Sequence, residues 1–222
     1  MKKTWLKSHW WFQTSYLPWL MGLLIVIPAI LPFFHEPFFK THDFTHVVRL
    51  SEMYQTISEG SFPPRWSRNL GFGYGMPLFS FYAPLPYYLG VLFHFLGLSF
   101  ITSVKLLFGL TFYFSFIAMF YLSRQFWKPA ASYIAATLFI YVPYRAVDVY
   151  VRGALGELYG ILFIVVSLFC IVKLIESPKL KWIVLTALSL AGLLLSHNLM
   201  ALIGLPLVVL FGMWYGIVNR EL

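Results

Sequence analysis

The chain has 222 residues, of which 60% are hydrophobic, 20% aromatic and only 11% charged, and its mean hydropathy is +0.77. A soluble globular domain carries about 25% charged residues, so this composition excludes a soluble enzyme, a disordered chain and, with Cys170 as the single cysteine, a disulfide-rich secreted fold. The net charge of +8 indicates orientation in a membrane and not nucleic-acid binding, because basic residues collect on the cytoplasmic side. At about 20 residues per crossing, the apolar material is enough for roughly six spans and one sizeable loop.

The first predicted element is a membrane span over residues 17–34. It follows a basic, tryptophan-containing segment, residues 1–16, which we expect to be cytoplasmic. A cleavable signal peptide would end in small residues, whereas this run ends in Pro32, Phe33 and Phe34. We therefore expect an uncleaved first span.

Residues 35–100 are predicted to be a long extracytoplasmic loop with short interfacial helices, one of them near residues 43–58. The apolar piece 76–98 could itself span, or it could be a re-entrant or interfacial segment broken by Pro77, Pro84 and Pro86. The second alternative gathers the basic residues of the later loops on the cytoplasmic side and balances the charges outside, so it is the one we adopt.

Residues 101–222 then supply five further spans, near 101–122, 130–144, 158–175, 180–196 and 199–218. The predicted fold class is thus an all-α polytopic membrane protein with about six transmembrane helices, a single transmembrane domain over residues 1–222. Its expected location is the cell membrane, multi-pass, with the amino end cytoplasmic, and its immediate partners are membrane lipids.

Three polar residues of the first loop attract attention, because Asp43, His46 and Arg49 are spaced three apart and would share one face of a helix. A carboxylate and an imidazole on one face can share proton transfer or bind a divalent metal. The alternative is structural: Asp43 is a natural amino-terminal cap.

Other candidate residues lie further along the extracytoplasmic segments. Arg65 could pair with a phosphate, or it could lie over Trp66 or pair with a loop carboxylate. Glu157 precedes a long apolar run, where a carboxylate is costly unless it is paired, with Arg152 for example, or lines a wet cavity. His197 interrupts an apolar stretch and is either a turn residue or a ligand.

Four features follow one another along the chain: the acid of the first loop, the segment Gly-Tyr-Gly-Met-Pro-Leu-Phe-Ser-Phe-Tyr-Ala-Pro-Leu-Pro-Tyr-Tyr (residues 73–88), the basic turn Ser-Arg-Gln-Phe-Trp-Lys (residues 123–128) and the second loop with Arg152 and Glu157. Their order resembles the amino-terminal half of the GT-C class of membrane glycosyltransferases. Within that class the chain looks most similar to the bacterial multi-pass proteins labelled "6-pyruvoyl-tetrahydropterin synthase-related".

The resemblance implies a glycosyltransferase-like protein that uses a polyprenyl-phosphate sugar at the extracytoplasmic face. Asp43 and Glu157 match the catalytic acids of the class by position, and Asp43 also matches a metal ligand. The expected substrate-binding residues are His46, Arg49, Arg65, Arg152 and His197. Metal-using members often carry closely paired acids, whereas these two stand alone, so a divalent cation is an open expectation. The alternative is a non-catalytic scaffold, a lipid carrier or a fragment of such an enzyme, with a partner membrane protein supplying further spans.

Overall fold

The computed structural model describes residues 16–34 and 40–220, and the regular structure within this part of the chain is helical. In chain order the helices are α1 (Leu17–Ile30, continued by a 3-10 turn over Leu31–Phe34), α2 (His46–Ser58), α3 (Leu78–Phe81), α4 (Leu85–Phe95), α5 (Phe100–Ser123), α6 (Pro129–Tyr141), α7 (Pro143–Ala146, followed by a π-helix over Val147–Arg152), α8 (Leu155–Glu176), α9 (Leu180–Ser196) and α10 (Asn198–Arg220). The predicted all-α class is confirmed. The basic segment 1–15, most of the predicted cytoplasmic amino end, lies outside the described residues.

Four helices are long and apolar enough to cross a membrane: Leu17–Phe34, Phe100–Ser123, Leu155–Glu176 and Asn198–Asn219. A fifth crossing results if Pro129–Tyr141 and Pro143–Arg152, which meet at an angle of 41°, form one broken span. The sequence predicts six spans. The sixth is α9, which is apolar but has 17 residues and so falls just below the length of a spanning helix.

The bend after α6 has a local cause at Val142. A proline disfavours helical geometry in the residue before it and cannot donate a backbone hydrogen bond. Accordingly Val142 adopts ψ 134, and the chain resumes a helix at Pro143 in a new direction. Where the sequence predicts a span over 130–144, the structure has a 13-residue helix followed by a second, tilted helical piece, and the two together can form one broken span.

The piece 76–98 is divided in the same way. Tyr82 is extended between α3 and α4, and α4 has 11 residues, fewer than a single crossing requires. This part of the chain therefore holds no helix of spanning length.

Helix α5 forms the centre of the bundle and packs against α1, α4, α6 and α8. Its phenylalanines Phe108, Phe112, Phe116 and Phe120 recur every fourth residue, so they share one face, and all four are buried. Helix α8 in turn packs against α9 and α10.

The connections between helices separate into two ends of this bundle. At one end the ring of Phe126 lies 6.0 Å from that of Tyr215, whose hydroxyl donates to Glu176 at 2.9 Å. At the other end the Asn198 amide donates to the Phe81 carbonyl at 2.9 Å. The second end carries the residues for which the sequence predicts a function.

Candidate functional site

Two segments far apart in the sequence are joined by main-chain hydrogen bonds. The His42 amide donates to the Val151 carbonyl at 2.9 Å, and the Asp43 amide donates to the Arg152 carbonyl at 2.8 Å. We call this pair of bonds the loop junction. It brings the chain around Asp43 directly against the turn that precedes α8.

Gly153 completes the loop junction because the chain reverses there with φ +68, a left-handed conformation that glycine adopts without strain. A β-carbon at this position would lie 2.5 Å from Thr41 Oγ1. The two segments therefore approach as closely as they do because residue 153 has no side chain.

The helix after the loop junction begins later than the sequence predicts. Helix α2 starts at His46, and its N-cap is Thr45, whose side chain makes no capping hydrogen bond. Asp43 lies in a turn, where its amide is committed to Arg152. The expectation that Asp43 opens and caps the helix is therefore wrong.

His46 faces inward and is 1% exposed. Its Nε2 is within hydrogen-bonding distance of the Gly153 carbonyl, which can only accept, so Nε2 carries the proton and Nδ1 accepts from the Tyr87 hydroxyl at 2.8 Å. Burial lowers the pKa of His46 to about 4. The neutral ring thus links α2, α4 and the loop junction, and it is not open to a substrate.

Asp43 is the open carboxylate of the loop junction, with its side chain 38% exposed. Its contact within the described residues is the ring of His42, at 3.1 Å from Nδ1 to Oδ1. A carboxylate that is solvated and weakly held can accept a proton from a bound molecule.

Arg49 is half-buried on the same side of α2. Its guanidinium lies 4.3 Å above the ring centre of Tyr82, and Nη1 is 3.5 Å from the Tyr87 hydroxyl. Within the described part of the chain no carboxylate forms an ion pair with Arg49, although Asp43 is near enough to act on its charge. Its positive charge is therefore still open to an anion.

Arg152 forms the centre of a second group, which we call the arginine cluster: Tyr144, Asp148, Arg152 and Glu157. The guanidinium pairs with Glu157 Oε2 at 2.8 Å and with Asp148 Oδ1, and it donates to the Tyr144 hydroxyl at 3.1 Å. The Tyr144 hydroxyl in turn donates to Glu157 Oε1. Both Glu157 oxygens are therefore engaged, and the charge of Arg152 is offset by two carboxylates.

Tyr144 and Asp148 are site residues that the sequence argument missed. Asp148 is fully buried, and its second oxygen has no partner among the described residues. The signal was present, because Tyr144, Asp148 and Arg152 are spaced four apart and so fall on one side of a helix. The sequence argument treats this segment as a loop, whereas residues 143–152 are helical, and only in a helix does that spacing place the three side chains together.

Of the two remaining predicted site residues, His197 lies beside the arginine cluster and Arg65 does not contact it. His197 Nδ1 accepts from the Met200 amide at 3.2 Å, which caps the start of α10. The same ring lies beside Gly156, close enough for the charges of Glu157 and Arg152 to act on it, and burial lowers its pKa. Arg65 is exposed, and none of its contacts in the described residues connects it to Asp43 or to the arginine cluster.

Within residues 16–34 and 40–220, no three histidine, cysteine, aspartate or glutamate side chains are grouped as they would be around a metal ion. His42 and Asp43 form the nearest such pair beside the loop junction. A divalent cation on Asp43 stays a prediction.

An apolar cavity of about 630 Å³ lies in the bundle between α4, α5, α8 and the start of α1. Its volume is within the roughly 300–1,000 Å³ that is usual for ligand pockets. Tyr159, two residues after Glu157, lines it near the arginine cluster, and Trp19, whose indole donates to Tyr121 at 3.1 Å, lines it towards the other end of the bundle.

No protein-family model matches the chain, and no solved structure matches it. An uncharacterized protein of Lactococcus lactis subsp. cremoris (strain MG1363) is 25% identical over 199 residues, which are 87% of this chain and 32% of that protein. The chain therefore spans about a third of the length of the relative it matches.

Proposed function

We propose that the chain is the membrane-embedded front part of a glycosyltransferase-like enzyme that takes a sugar from a polyprenyl phosphate at the extracytoplasmic face. The observation that carries the proposal is the loop junction, which sets the open carboxylate of Asp43 against the turn between Arg152 and α8. Acid and cations thereby come together at one end of the bundle, and the apolar cavity runs from near them at Tyr159 towards the other end.

In this proposal Asp43 is the general base. It takes the proton from an acceptor hydroxyl as the acceptor oxygen bonds to the first carbon of the sugar. The bond from that carbon to the phosphate oxygen breaks, and the electron pair leaves with the polyprenyl phosphate. Asp43 suits this task better than Glu157, because both oxygens of Glu157 already accept hydrogen bonds.

The developing charge on the leaving phosphate requires a cation. Arg152 is the less suitable candidate, because Asp148 and Glu157 already offset its charge. Arg49 forms no ion pair in the described residues and is near Asp43, so we assign the phosphate to Arg49. Arg152 then acts through Glu157 and Asp148 by keeping the turn in place.

The lipid part of the donor would lie in the apolar cavity. Tyr87 of α4 contacts His46, while Leu89 and Phe93 of the same helix line the cavity. A hydrocarbon chain in the cavity would thus lead towards the loop junction. Lipid binding by itself is also what a carrier needs, so the cavity favours a second candidate function, a non-catalytic lipid carrier.

The test is sugar transfer from radiolabelled polyprenyl-phosphate donors by membranes that contain the chain, wild type against Asp43→Asn. Loss of a general base lowers rates by about 10²- to 10⁴-fold, and we expect a loss in this range. Glu59→Gln is the matched control, because Glu59 is an exposed acid of the same loop that pairs with Arg68.

The two candidate functions give different results in this assay. An enzyme transfers sugar in the wild type and loses transfer in Asp43→Asn while keeping the donor bound. A carrier binds the donor equally in both and transfers nothing in either. Equal transfer by the wild type and Asp43→Asn would overturn the assignment of Asp43.

A further inference from the structure

A short hairpin of the first loop, residues 66–76, is held in one conformation by its backbone. Ser67 and Met76 exchange two hydrogen bonds, at 2.8 and 2.9 Å, and inside them the Gly75 amide donates to the Leu70 carbonyl at 2.9 Å. We call this segment the aromatic hairpin. Such a network fixes where the side chains at its tip point.

The tip of the aromatic hairpin presents two rings to its surroundings. Phe72 is fully exposed and Tyr74 is 89% exposed. Phe72 also has φ 58, a conformation that a bulky residue rarely adopts. An apolar ring held outward by a rigid turn indicates a surface that is covered by something else.

The aromatic hairpin is anchored to α2 through a buried acid. Glu52 is 3% exposed, and its two oxygens accept from the backbone amide of Asn69 at 3.1 Å and from the Asn69 side chain at 2.7 Å. The hairpin therefore moves with the helical bundle and not as a free loop.

A third exposed ring of the first loop, Phe62, contacts the surface of α4. The ring of Phe62, which is 75% exposed, lies 6.0 Å from that of Tyr88 on α4. The next residue of α4, Leu89, lines the apolar cavity between the spanning helices. The first loop therefore has an apolar contact, through Phe62, with a helix that lines the cavity between the spans.

The Asn69 and Arg68 side chains of the aromatic hairpin are already bonded within the chain, and the Ser67 hydroxyl is buried and so closed to a ligand. The Asn69 amide bonds to Glu52 and Gln55, and Arg68 pairs with Glu59 at 2.7 Å. A sugar needs free hydrogen-bonding groups beside the aromatic rings, whereas the region between lipid headgroups and acyl chains accepts the rings alone. Arg65 is exposed nearby and suits a lipid phosphate.

We propose that the aromatic hairpin inserts Phe72 and Tyr74 into the boundary between headgroups and acyl chains of the leaflet on its own side of the membrane. The partner is bilayer phospholipid. The insertion fixes the depth of the first loop, and it is independent of the chemistry assigned to Asp43.

The single cysteine of the chain permits a direct test. In a Cys170→Ser background, Phe72→Cys is labelled with the fluorophore NBD, and the protein is placed in vesicles of phosphatidylethanolamine and phosphatidylglycerol. A second set of vesicles contains phospholipid brominated on the acyl chain. Ser58→Cys, an exposed position at the end of α2, is the matched control.

Insertion predicts a blue-shifted emission at position 72 and at least twofold quenching by brominated lipid, with little quenching by aqueous iodide. The label at position 58 is expected to show no blue shift, strong quenching by iodide and little quenching by brominated lipid. Three results would each overturn the proposal. The label at position 72 could be quenched by iodide but not by brominated lipid, it could be protected from both quenchers, or it could be quenched to the same extent as the label at position 58. A spin label at position 72 checks the result with a smaller probe, since insertion makes it more accessible to oxygen than to a water-soluble nickel complex.

Discussion

At the scale of single residues, Arg152 carries the clearest energetic consequence. It is the cation of Asp148, which is fully buried, and of Glu157, which is 10% exposed. We expect Arg152→Met to lower the free energy of unfolding by about 1–3 kcal/mol, because it leaves a buried carboxylate without a partner. The measurement is thermal unfolding in detergent. Arg68→Met is the control, since the exposed pair of Arg68 and Glu59 is worth about 0–1 kcal/mol, and equal losses would contradict the prediction.

A second prediction concerns Gly153 and Gly60, which both have positive φ, at +68 and +85. A β-carbon at Gly60 meets nothing within 4 Å, whereas one at Gly153 overlaps Thr41. Gly60→Ala should therefore cost only the backbone strain, about 1–2 kcal/mol. Gly153→Ala should cost about 1–3 kcal/mol more, because the loop junction must open. Equal unfolding midpoints for the two variants would show that the junction tolerates a methyl group.

At the scale of elements, the contact of α2 with α4 depends on a neutral histidine. His46 has a pKa of about 4 in the folded chain and 6.5 as its ordinary value, so the unfolded chain binds the proton more readily. The stability from His46 is fully present above pH 6.5 and is lost as the pH falls towards 4. The groups facing its ring are Tyr87, Arg49 and Asp43.

The loss between pH 7 and pH 5 should be about 2 kcal/mol from His46 alone. His46→Gln keeps a donor and an acceptor but cannot titrate, so unfolding temperatures of this variant should fall less over that range. His42→Gln is the control, because the His42 side chain is 85% exposed. The unfolding temperature could depend on pH in His46→Gln as it does in the wild type, or His42→Gln could reduce that dependence as much as His46→Gln does. Either result would exclude His46 as the pH-sensitive group.

The elements also show what could be predicted from the sequence. Composition and apolar runs were sufficient to predict the helical class and spans such as Phe100–Ser123, because a helix that crosses lipid needs a long, continuous run of apolar residues. The start of α2 was not predictable, since it depends on the Asp43 amide bonding to Arg152 far along the chain. The inward position of His46 depends on the same junction. Contacts between distant segments leave no periodic pattern in a single sequence.

The site could be predicted only as a set of residue types. Asp43 and Arg152 were singled out by charge in an apolar chain, and the loop junction brings their backbones together. Their side chains nevertheless belong to different groups, because Arg152 is held by Asp148 and Glu157. Which carboxylate is open and which is paired depends on rotamers and burial, and the spacing of residues does not contain that information.

At the scale of the whole molecule, the ends of the bundle differ in chemistry. The end with Phe126, Glu176 and Tyr215 is next to the basic turns 123–128 and 177–181. The opposite end carries the loop junction and the arginine cluster. Positive residues favour the cytoplasm, so we predict the first end inside and the second end outside.

Reporter fusions along the chain test this orientation and the number of spans together. A fusion after Lys128 or Lys179 should report a cytoplasmic position, and one within residues 60–75 an extracytoplasmic position. A fusion after Asn198 decides whether α9 crosses: its 17 residues extend about 26 Å against a hydrocarbon core of about 30 Å, so it can cross only with its ends in the interface. We expect this fusion to report an extracytoplasmic position, because the Asn198 side chain donates a hydrogen bond to the Phe81 carbonyl at the end of the bundle that carries the loop junction. A cytoplasmic signal after Asn198 would remove α9 from the spans. An external signal after Lys128 would mean that residues 76–98 cross the membrane, and it would contradict the placement of Asp43 and Glu157 in one site.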